Sequence, residues 1–132
     1  MKKKKVLIVS ADYYPDITIN MKTGASKLLK KRKDFSVDNL SVPGVFEIPV
    51  TIARNIKKYD AFIAIGCVIK GETPHFDFIS KSTTDAIMEL SVENKKPIGN
   101  GIITCLNKNQ AKVRSNKKGK EAAQAVISVL FH

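Results

Sequence analysis

The chain has 132 residues, 43% of them hydrophobic, and its 23 lysines and arginines against 12 acidic residues give a net charge of +11. This length suits one globular domain with its own core, so we expect a single domain over residues 1–132. No apolar run approaches the roughly 20 residues of a membrane helix, and the two cysteines lack metal-ligand or CxxC spacing. We therefore expect a soluble cytoplasmic protein without a membrane partner.

The excess of basic residues raises the question of a nucleic acid partner. Along the sequence the lysines are scattered over predicted helix faces and the amino terminus. No nucleic-acid motif with interleaved aromatic residues accompanies them. Lysine-rich solvated faces explain such a pattern best, so we expect no nucleic acid partner.

The first half of the chain alternates strands and helices. Residues 6–10 predict a short apolar strand, and residues 11–16 form a turn-rich loop. A helix is expected next, because apolar residues repeat at helical spacing. These residues are Met21, Ala25, Leu28 and Leu29. Residues 37–42 predict a second strand, and a stripe of isoleucines after a Pro-Gly turn predicts a second helix; the stripe is Ile48, Ile52 and Ile56.

The second half continues this alternation. Residues 61–69 are continuously apolar, which predicts a strand buried on both faces. The apolar face of the helix that follows consists of Ile79, Ala86, Ile87 and Leu90. Residues 98–104 predict a fourth strand, a short helix is expected near residues 109–114, and a last helix over about 119–131. The inward residues of that last helix are expected to be Ala122, Ala125, Val126 and Val129.

Strands that alternate with helices predict a parallel sheet covered on both faces and joined by right-handed crossovers. We expect an α/β fold, a three-layer α/β/α domain with a four-stranded parallel sheet in flavodoxin-like order. In such sheets ligands bind beyond the carboxyl ends of the strands, near the topological switch point. The sequence therefore predicts that Tyr13, residues 44–47 and residues 70–75 converge.

The loop KGETPH at residues 70–75 has the features of an anion site. Gly71 permits a tight turn, Thr73 is predicted as a helix N-cap, and Pro74 suits the first helical position. The helix amino terminus that results would attract an anion such as phosphate. His75, predicted one step into this helix, can move protons near neutral pH.

Several polar and aromatic residues near the predicted site, and Cys67 in the third strand, also have a purely structural interpretation. His75 could be an ordinary helix-start residue, and Tyr13 and Tyr14 could simply cover the sheet edge. Glu47 could complement a helix dipole, and Arg114 could be a solvated charge at a helix end. Cys67 is best interpreted as a small core residue whose thiol has no chemical role.

Four segments of the chain resemble the lumazine synthase family, the penultimate enzymes of riboflavin biosynthesis. They are VPGVFEIPV (42–50), GCVIKGETPHFDF (66–78), GNGIIT (99–104) and NQAKVRS (109–115). The resemblance implies condensation of 5-amino-6-(D-ribitylamino)uracil with 3,4-dihydroxy-2-butanone 4-phosphate, giving 6,7-dimethyl-8-ribityllumazine, phosphate and water, without a cofactor or a metal. A non-catalytic flavin- or lumazine-binding protein on the same scaffold is the alternative.

The resemblance also assigns roles by position. His75 matches the catalytic histidine of the family. The positions that match substrate-binding residues are Tyr13, Val45, Phe46, Glu47, Cys67, Val68, Ile69 and Asn100. Tyr13 would stack on the pyrimidine, and Asn100 would reach in from the adjacent subunit. The positions that match the phosphate site are Gly71, Glu72, Thr73 and Arg114.

The resemblance further implies a homo-oligomer, either a pentamer with sites between neighbouring subunits or a sixty-subunit shell, and riboflavin synthase as a further partner. Three features depart from the family pattern. The segment after Arg114 is a few residues shorter, Asn100 stands where phenylalanine is common, and Asp12 stands where arginine is frequent. Because the Glu72 carboxylate would repel phosphate, we expect only its backbone N–H to face the ligand, with the side chain turned to solvent or to a lysine.

Overall fold

The computed structural model of the chain describes residues 2–73 and 75–132. The elements follow in the order β1 (Lys4–Ala11), α1 (Pro15–Lys30), β2 (Phe35–Val42), a short 3₁₀ helix (Val45–Glu47), α2 (Ile48–Asn55), β3 (Ala61–Ile69), α3 (Phe76–Asn94), β4 (Ile98–Cys105) and α4 (Lys108–Leu130). In these two ranges, no helix has the length and apolar character needed to cross a membrane.

The four strands form one parallel sheet in the order β2-β1-β3-β4. Helices α1 and α4 pack on one face of the sheet, and α2 and α3 pack on the other. The predicted three-layer architecture and flavodoxin-like order are therefore confirmed. Strands β1, β2 and β4 each extend one or two residues beyond the predicted ranges.

Strand β3 lies in the middle of the sheet, and all nine of its residues are buried. Ile63 and Ile65 point to the α1 and α4 side, whereas Phe62 and Ala64 point to the α2 and α3 side. Burying each large side chain of this kind contributes about 1.5–3 kcal/mol. Burial on both faces is the physical reason for the continuous apolar run in the sequence.

The carboxyl-terminal region corrects one prediction. The two helices expected near 109–114 and over 119–131 form the single helix α4. Gly119 lies inside this helix rather than at a start, because α1 packs closely there. A Cβ on Gly119 would collide with the backbone carbonyl of Met21, so the glycine permits helix contact and does not mark a break.

The buried face of the continuous helix α4 also differs from the predicted one. Ala125 and Val129, which were expected to point inward, are exposed. The residues that pack against the sheet and α1 are Ala122, Ala123, Val126 and Ile127. The buried face of α4 near its end thus consists of two pairs of adjacent residues, Ala122–Ala123 and Val126–Ile127.

Candidate functional site

A cleft opens where β1, β2 and β3 end, at the carboxyl edge of the sheet. Its lining consists of Tyr13, Gly44, Val45, Phe46, Cys67, Val68, Glu72, Thr73 and Ile79. Three loops meet in it, one after each of these strands. This is the region where ligands of open parallel sheets bind. Gly44 and Ile79 line the cleft in addition to the positions assigned from the resemblance.

The turn after β2 is fixed against β3 by a close contact. A Cβ on Gly66 would lie 2.7 Å from Cγ2 of Val45, so only a glycine in β3 lets this valine pack so near. A Cβ on Gly44 would in turn lie 3.1 Å from Oε1 of Glu47. The Glu47 carboxylate therefore folds back over a glycine that lines the cleft, although Glu47 itself is not among the lining residues.

Two adjacent tyrosines after β1 have different environments. Tyr13 is 67% exposed, and its ring meets the ring of Tyr14 edge to face with centroids 4.9 Å apart. Tyr14 is buried, and its hydroxyl donates a hydrogen bond to Oε1 of Glu72 at 3.0 Å. Burial, followed by the Glu72 carboxylate, raises the pKa of Tyr14 to about 12. The Tyr14 hydroxyl thus remains a donor at neutral pH, while the Tyr13 ring is free to contact a ligand.

The position of Glu72 agrees with the prediction in part. Its side chain is exposed to solvent, as expected, and its carboxylate accepts a hydrogen bond from the Tyr14 hydroxyl. Its backbone N–H donates to the carbonyl of Ile69 at 3.2 Å, and the N–H of Thr73 donates to the same carbonyl at 3.0 Å. The Glu72 N–H, which was expected to face a ligand, is therefore hydrogen-bonded within the turn.

The start of α3 also differs from the prediction. The helix begins at Phe76, and Thr73 is not its N-cap. His75 occupies the N-cap position in the left-handed conformation (φ 57°, ψ 42°) instead of the first helical turn. Its side chain is exposed and does not line the cleft, and its carbonyl accepts the N–H of Ile79 at 2.9 Å. The predicted role of Pro74 as the first helical residue lies outside the described residues.

The left-handed backbone at His75 is unusual for a residue with a Cβ. This conformation costs a non-glycine residue roughly 1–2 kcal/mol. Histidine, asparagine and aspartate adopt it more readily than other residues. The His75 side chain is exposed to solvent at the start of α3.

Arg114 lies at the base of the same loop. Its Nη1 donates to the carbonyl oxygen of Thr104 at 3.2 Å and approaches Sγ of Cys105 at 3.6 Å. The N–H of Lys70 donates to the carbonyl of Cys105 at 2.9 Å. The end of β4 therefore joins the guanidinium to the start of the 70–75 loop, and Arg114 stays exposed.

The remaining assigned positions do not line the cleft within this chain. The Ile69 side chain is fully buried, and Gly71 adopts a positive φ of 88° at the loop. Asn100 lies on the edge strand β4, opposite Ala64 of β3, and its side chain is exposed. Its Oδ1 accepts the N–H of Ile102 at 3.0 Å. Asn100 is therefore available to a neighbouring molecule rather than to the cleft of its own chain.

The chemistry of the cleft is that of an apolar slot with polar groups at one end. Cys67 contributes no thiolate, because burial, followed by the nearby Cys105, raises the pKa of its thiol to about 12. Residues 2–73 and 75–132 contain no cluster of histidine, cysteine, aspartate and glutamate that could hold a metal ion. Arg114 does not line the cleft, but its exposed guanidinium at the end of β4 suits an anionic group.

Comparisons with known proteins give a consistent result. The family described as 6,7-dimethyl-8-ribityllumazine synthase matches residues 3–132. A 6,7-dimethyl-8-ribityllumazine synthase of Bartonella tribocorum is 40% identical, with 98% of this chain and 89% of the relative covered. 6,7-Dimethyl-8-ribityllumazine synthase 1 of Rhodopseudomonas palustris is 43% identical, with 96% and 83% covered. A 3-dehydroquinate dehydratase-like protein of Bifidobacterium longum, 12% identical over the full length of both chains, shares the fold with a TM-score of 0.51.

Proposed function

Because the chain belongs to the 6,7-dimethyl-8-ribityllumazine synthase family, it is a transferase of riboflavin biosynthesis, and we propose that the cleft at the carboxyl edge is its active site. The reaction condenses 5-amino-6-(D-ribitylamino)uracil with 3,4-dihydroxy-2-butanone 4-phosphate. It releases 6,7-dimethyl-8-ribityllumazine, phosphate and water. The observation that carries this assignment is the convergence of three loops on one apolar cleft.

The pyrimidine lies in the apolar part of the cleft. The exposed ring of Tyr13 offers a face for stacking, and Val45 and Phe46 form the opposite side. The end of β3 at Cys67 and Val68 closes the slot and presents backbone groups to the edge of the pyrimidine. The Glu47 carboxylate, folded over the neighbouring glycine, accepts hydrogen bonds from ribityl hydroxyls.

The phosphate of the second substrate lies between Arg114 and the 70–75 loop. A guanidinium presents two parallel donors to a phosphate, which an ammonium group does not reproduce. Arg114 already lies at the loop base through its contacts with Thr104 and Cys105. The N–H groups of Glu72 and Thr73 are used inside the turn, so the arginine provides the main hold on the phosphate.

His75 transfers protons during imine formation, phosphate elimination and ring closure. The imidazole is exposed at the start of α3, so it can turn toward a substrate without any movement of the core. General acid–base catalysis of this kind contributes about 10²–10⁴-fold in rate. Orientation of two bound substrates supplies up to roughly 7–11 kcal/mol of a barrier, so an enzyme without the imidazole keeps part of its activity.

The active unit is a homo-oligomer, in the first place a pentamer, whose sites combine residues of two neighbouring chains in the cytoplasm. Two observations support this. Asn100 lies on an edge strand away from the cleft of its own chain, and α3 exposes Phe78, Met88 and Val92. Apolar residues exposed along one helix are typical of surfaces that another subunit covers. Sedimentation equilibrium of the purified protein should give the mass of five chains or a multiple of it.

The decisive experiment mixes the purified protein with both substrates and follows lumazine fluorescence. His75→Asn tests proton transfer without changing the backbone, because asparagine tolerates the left-handed conformation. We expect this variant to lose about 10²–10⁴-fold in kcat. His132→Asn is the matched control, since His132 is also exposed and lies outside the cleft. Equal rates for the two variants would contradict the role of His75.

Arg114→Lys tests the phosphate hold in the same assay. Hydrogen bonds to charged groups are worth about 1.5–3 kcal/mol, so kcat/KM for the butanone phosphate should fall about tenfold or more. Arg54→Lys, at an exposed position of α2, is the control. If the wild type binds lumazine but does not accelerate its formation over the spontaneous reaction, the chain is instead a non-catalytic binding protein.

A further inference from the structure

The excess charge of this chain is concentrated at one end of the molecule. Residues 2–5, 30–34, 57–60 and 95–97 contain twelve lysines and arginines and two aspartates, which is +10 of the chain's net charge of +11. Eleven of these twelve basic residues are exposed. We call these four segments the basic edge. The expectation that the lysines are scattered holds for the sequence but is wrong for the folded chain.

The topology explains why these segments meet. All four strands are parallel, so their amino ends share one edge, and the helices that return to that edge end beside them. The N–H of Lys4 donates to the carbonyl of Asp34, and the N–H of Asp60 donates to the carbonyl of Lys5, both at 2.8 Å. Nζ of Lys96 donates to the carbonyl of Ile56. Hydrogen bonds thus tie the basic edge together, opposite the active-site cleft.

Ordinary structural roles account for only a small part of this charge. Each helix carboxyl terminus carries about −0.5 charge, so the four helices that end here offset roughly two positive charges. Of the two aspartates, Asp34 pairs with Arg32 at 3.2 Å, and Asp60 accepts the N–H of Lys5. Roughly eight positive charges of these four segments therefore remain without a counter-charge among the described residues, and such concentrated like charge favours binding of a polyanion.

We propose that the basic edge is a binding surface for single-stranded nucleic acid, a function separate from lumazine formation. Lysine ammonium groups on flexible side chains suit the phosphate backbone, which any sequence presents. Aromatic side chains that stack on bases accompany such surfaces in single-strand binders. One aromatic residue belongs to the basic edge and one lies beside it. Tyr59 lies in a cleft among the lysines of the basic edge, and the exposed ring of Phe131 lies with its centroid 4.5 Å from the Arg32 guanidinium.

The composition of the basic edge favours nucleic acid over a membrane surface. Proteins that lie on anionic membranes insert large apolar side chains beside their basic residues. The four segments of the basic edge, as far as the structure describes them, expose no large hydrophobic side chain of their own, and the adjacent Phe131 is one exposed ring beside them. Lipid binding would therefore rest on charge and a single apolar ring, whereas nucleic acid gains charge and stacking on aromatic rings.

The test measures fluorescence anisotropy of a labelled single-stranded oligonucleotide, long enough to fill a site of about 16 nucleotides, mixed with the full protein at several salt concentrations. The variant Lys3→Gln, Lys33→Gln, Lys57→Gln removes three exposed charges of the basic edge. Each lost phosphate contact lowers the slope of log K against log salt by about 0.7, so we expect a slope smaller by about 2. Affinity at low salt should fall about tenfold or more.

The control variant Lys112→Gln, Lys117→Gln, Lys120→Gln removes the same net charge from exposed positions of α4. It should bind the oligonucleotide like the wild type, and both triple variants should keep lumazine synthesis. Equal loss of binding in the two variants would overturn the proposal, because binding would then follow net charge alone. Binding to vesicles of anionic lipid without binding to the oligonucleotide, or tighter binding to a duplex of the same sequence, would also overturn it.

Discussion

Tyr14 connects the loop after β1 to the loop after β3, and we predict that it positions the phosphate-binding residues. The bond from its hydroxyl to Oε1 of Glu72 is 3.0 Å long and joins residues that are 58 positions apart. Tyr14→Phe removes this bond and leaves the ring in place. Hydrogen bonds to charged groups contribute about 1.5–3 kcal/mol. Because Glu72 is exposed, water replaces part of the loss, and about 1 kcal/mol remains.

That energy should appear in substrate binding, because the loop carries the positions that we propose to bind phosphate. A loss of about 1 kcal/mol corresponds to a roughly fivefold higher KM for the butanone phosphate. The KM for the pyrimidine and kcat should change less than twofold, on the order of the error of such measurements. Steady-state kinetics with each substrate varied in turn separates these quantities.

Tyr59→Phe is the matched control, because the Tyr59 hydroxyl donates to a carboxylate oxygen of Asp38 at 2.8 Å on the other side of the sheet. Both substitutions remove one tyrosine–carboxylate hydrogen bond, so a general effect on stability is shared. Only Tyr14→Phe should change the KM for the butanone phosphate. Indistinguishable kinetics of the two variants would refute the positioning role.

The same bond has a pH dependence with a defined sign. Burial, followed by Glu72, raises the pKa of Tyr14 to about 12, above the ordinary value of 10.0. The stability that this protonated hydroxyl contributes is therefore fully present below about pH 10 and is lost as the pH rises toward 12. Between those values the wild type should lose stability relative to Tyr14→Phe, as measured by urea unfolding.

Two further predictions concern the core. Gly119→Ala should destabilise the fold by about 1–3 kcal/mol in urea unfolding, because its Cβ would collide with the carbonyl of Met21. Gly24→Ala in the same helix pair is the control, because the nearest atom lies 3.0 Å from the added Cβ. This variant should change the free energy of unfolding by no more than about 1 kcal/mol. Equal losses of stability in the two variants would contradict the close-contact argument. Burial, followed by Cys105, raises the pKa of the Cys67 thiol to about 12. The native protein should therefore react with thiol reagents near pH 8 far more slowly than the unfolded chain. Rapid labelling of the native protein would contradict this.

The elements that the sequence predicts correctly are those whose signal is local. Strand β3 is the clearest case, since burial on both faces requires nine consecutive small or apolar residues. The helix stripes around Met21 and Ile48 are confirmed for the same reason. Residues 44–46 and 72–73 meet in one cleft because parallel strands bring their carboxyl ends to one edge.

The errors arise at one tight turn, where another local structure competes with the predicted one, and at sites that depend on distant segments. Thr73 has the composition of an N-cap, yet its N–H and that of Glu72 return to the carbonyl of Ile69. This tight turn delays the helix to Phe76 and leaves His75 in the left-handed region. The Tyr14–Glu72 bond and the packing of α1 on Gly119 have no local signal at all, since each depends on a second segment far away in the sequence.

The separation between the cleft and the basic edge determines whether the two can work independently. Strand β1 connects them with eight residues, which at about 3.3 Å per residue gives roughly 26 Å. The Debye length at physiological ionic strength is about 8 Å, so the +10 of the basic edge is largely screened at the cleft. Polyanion binding at one edge and lumazine synthesis at the other are consequently compatible within one small domain.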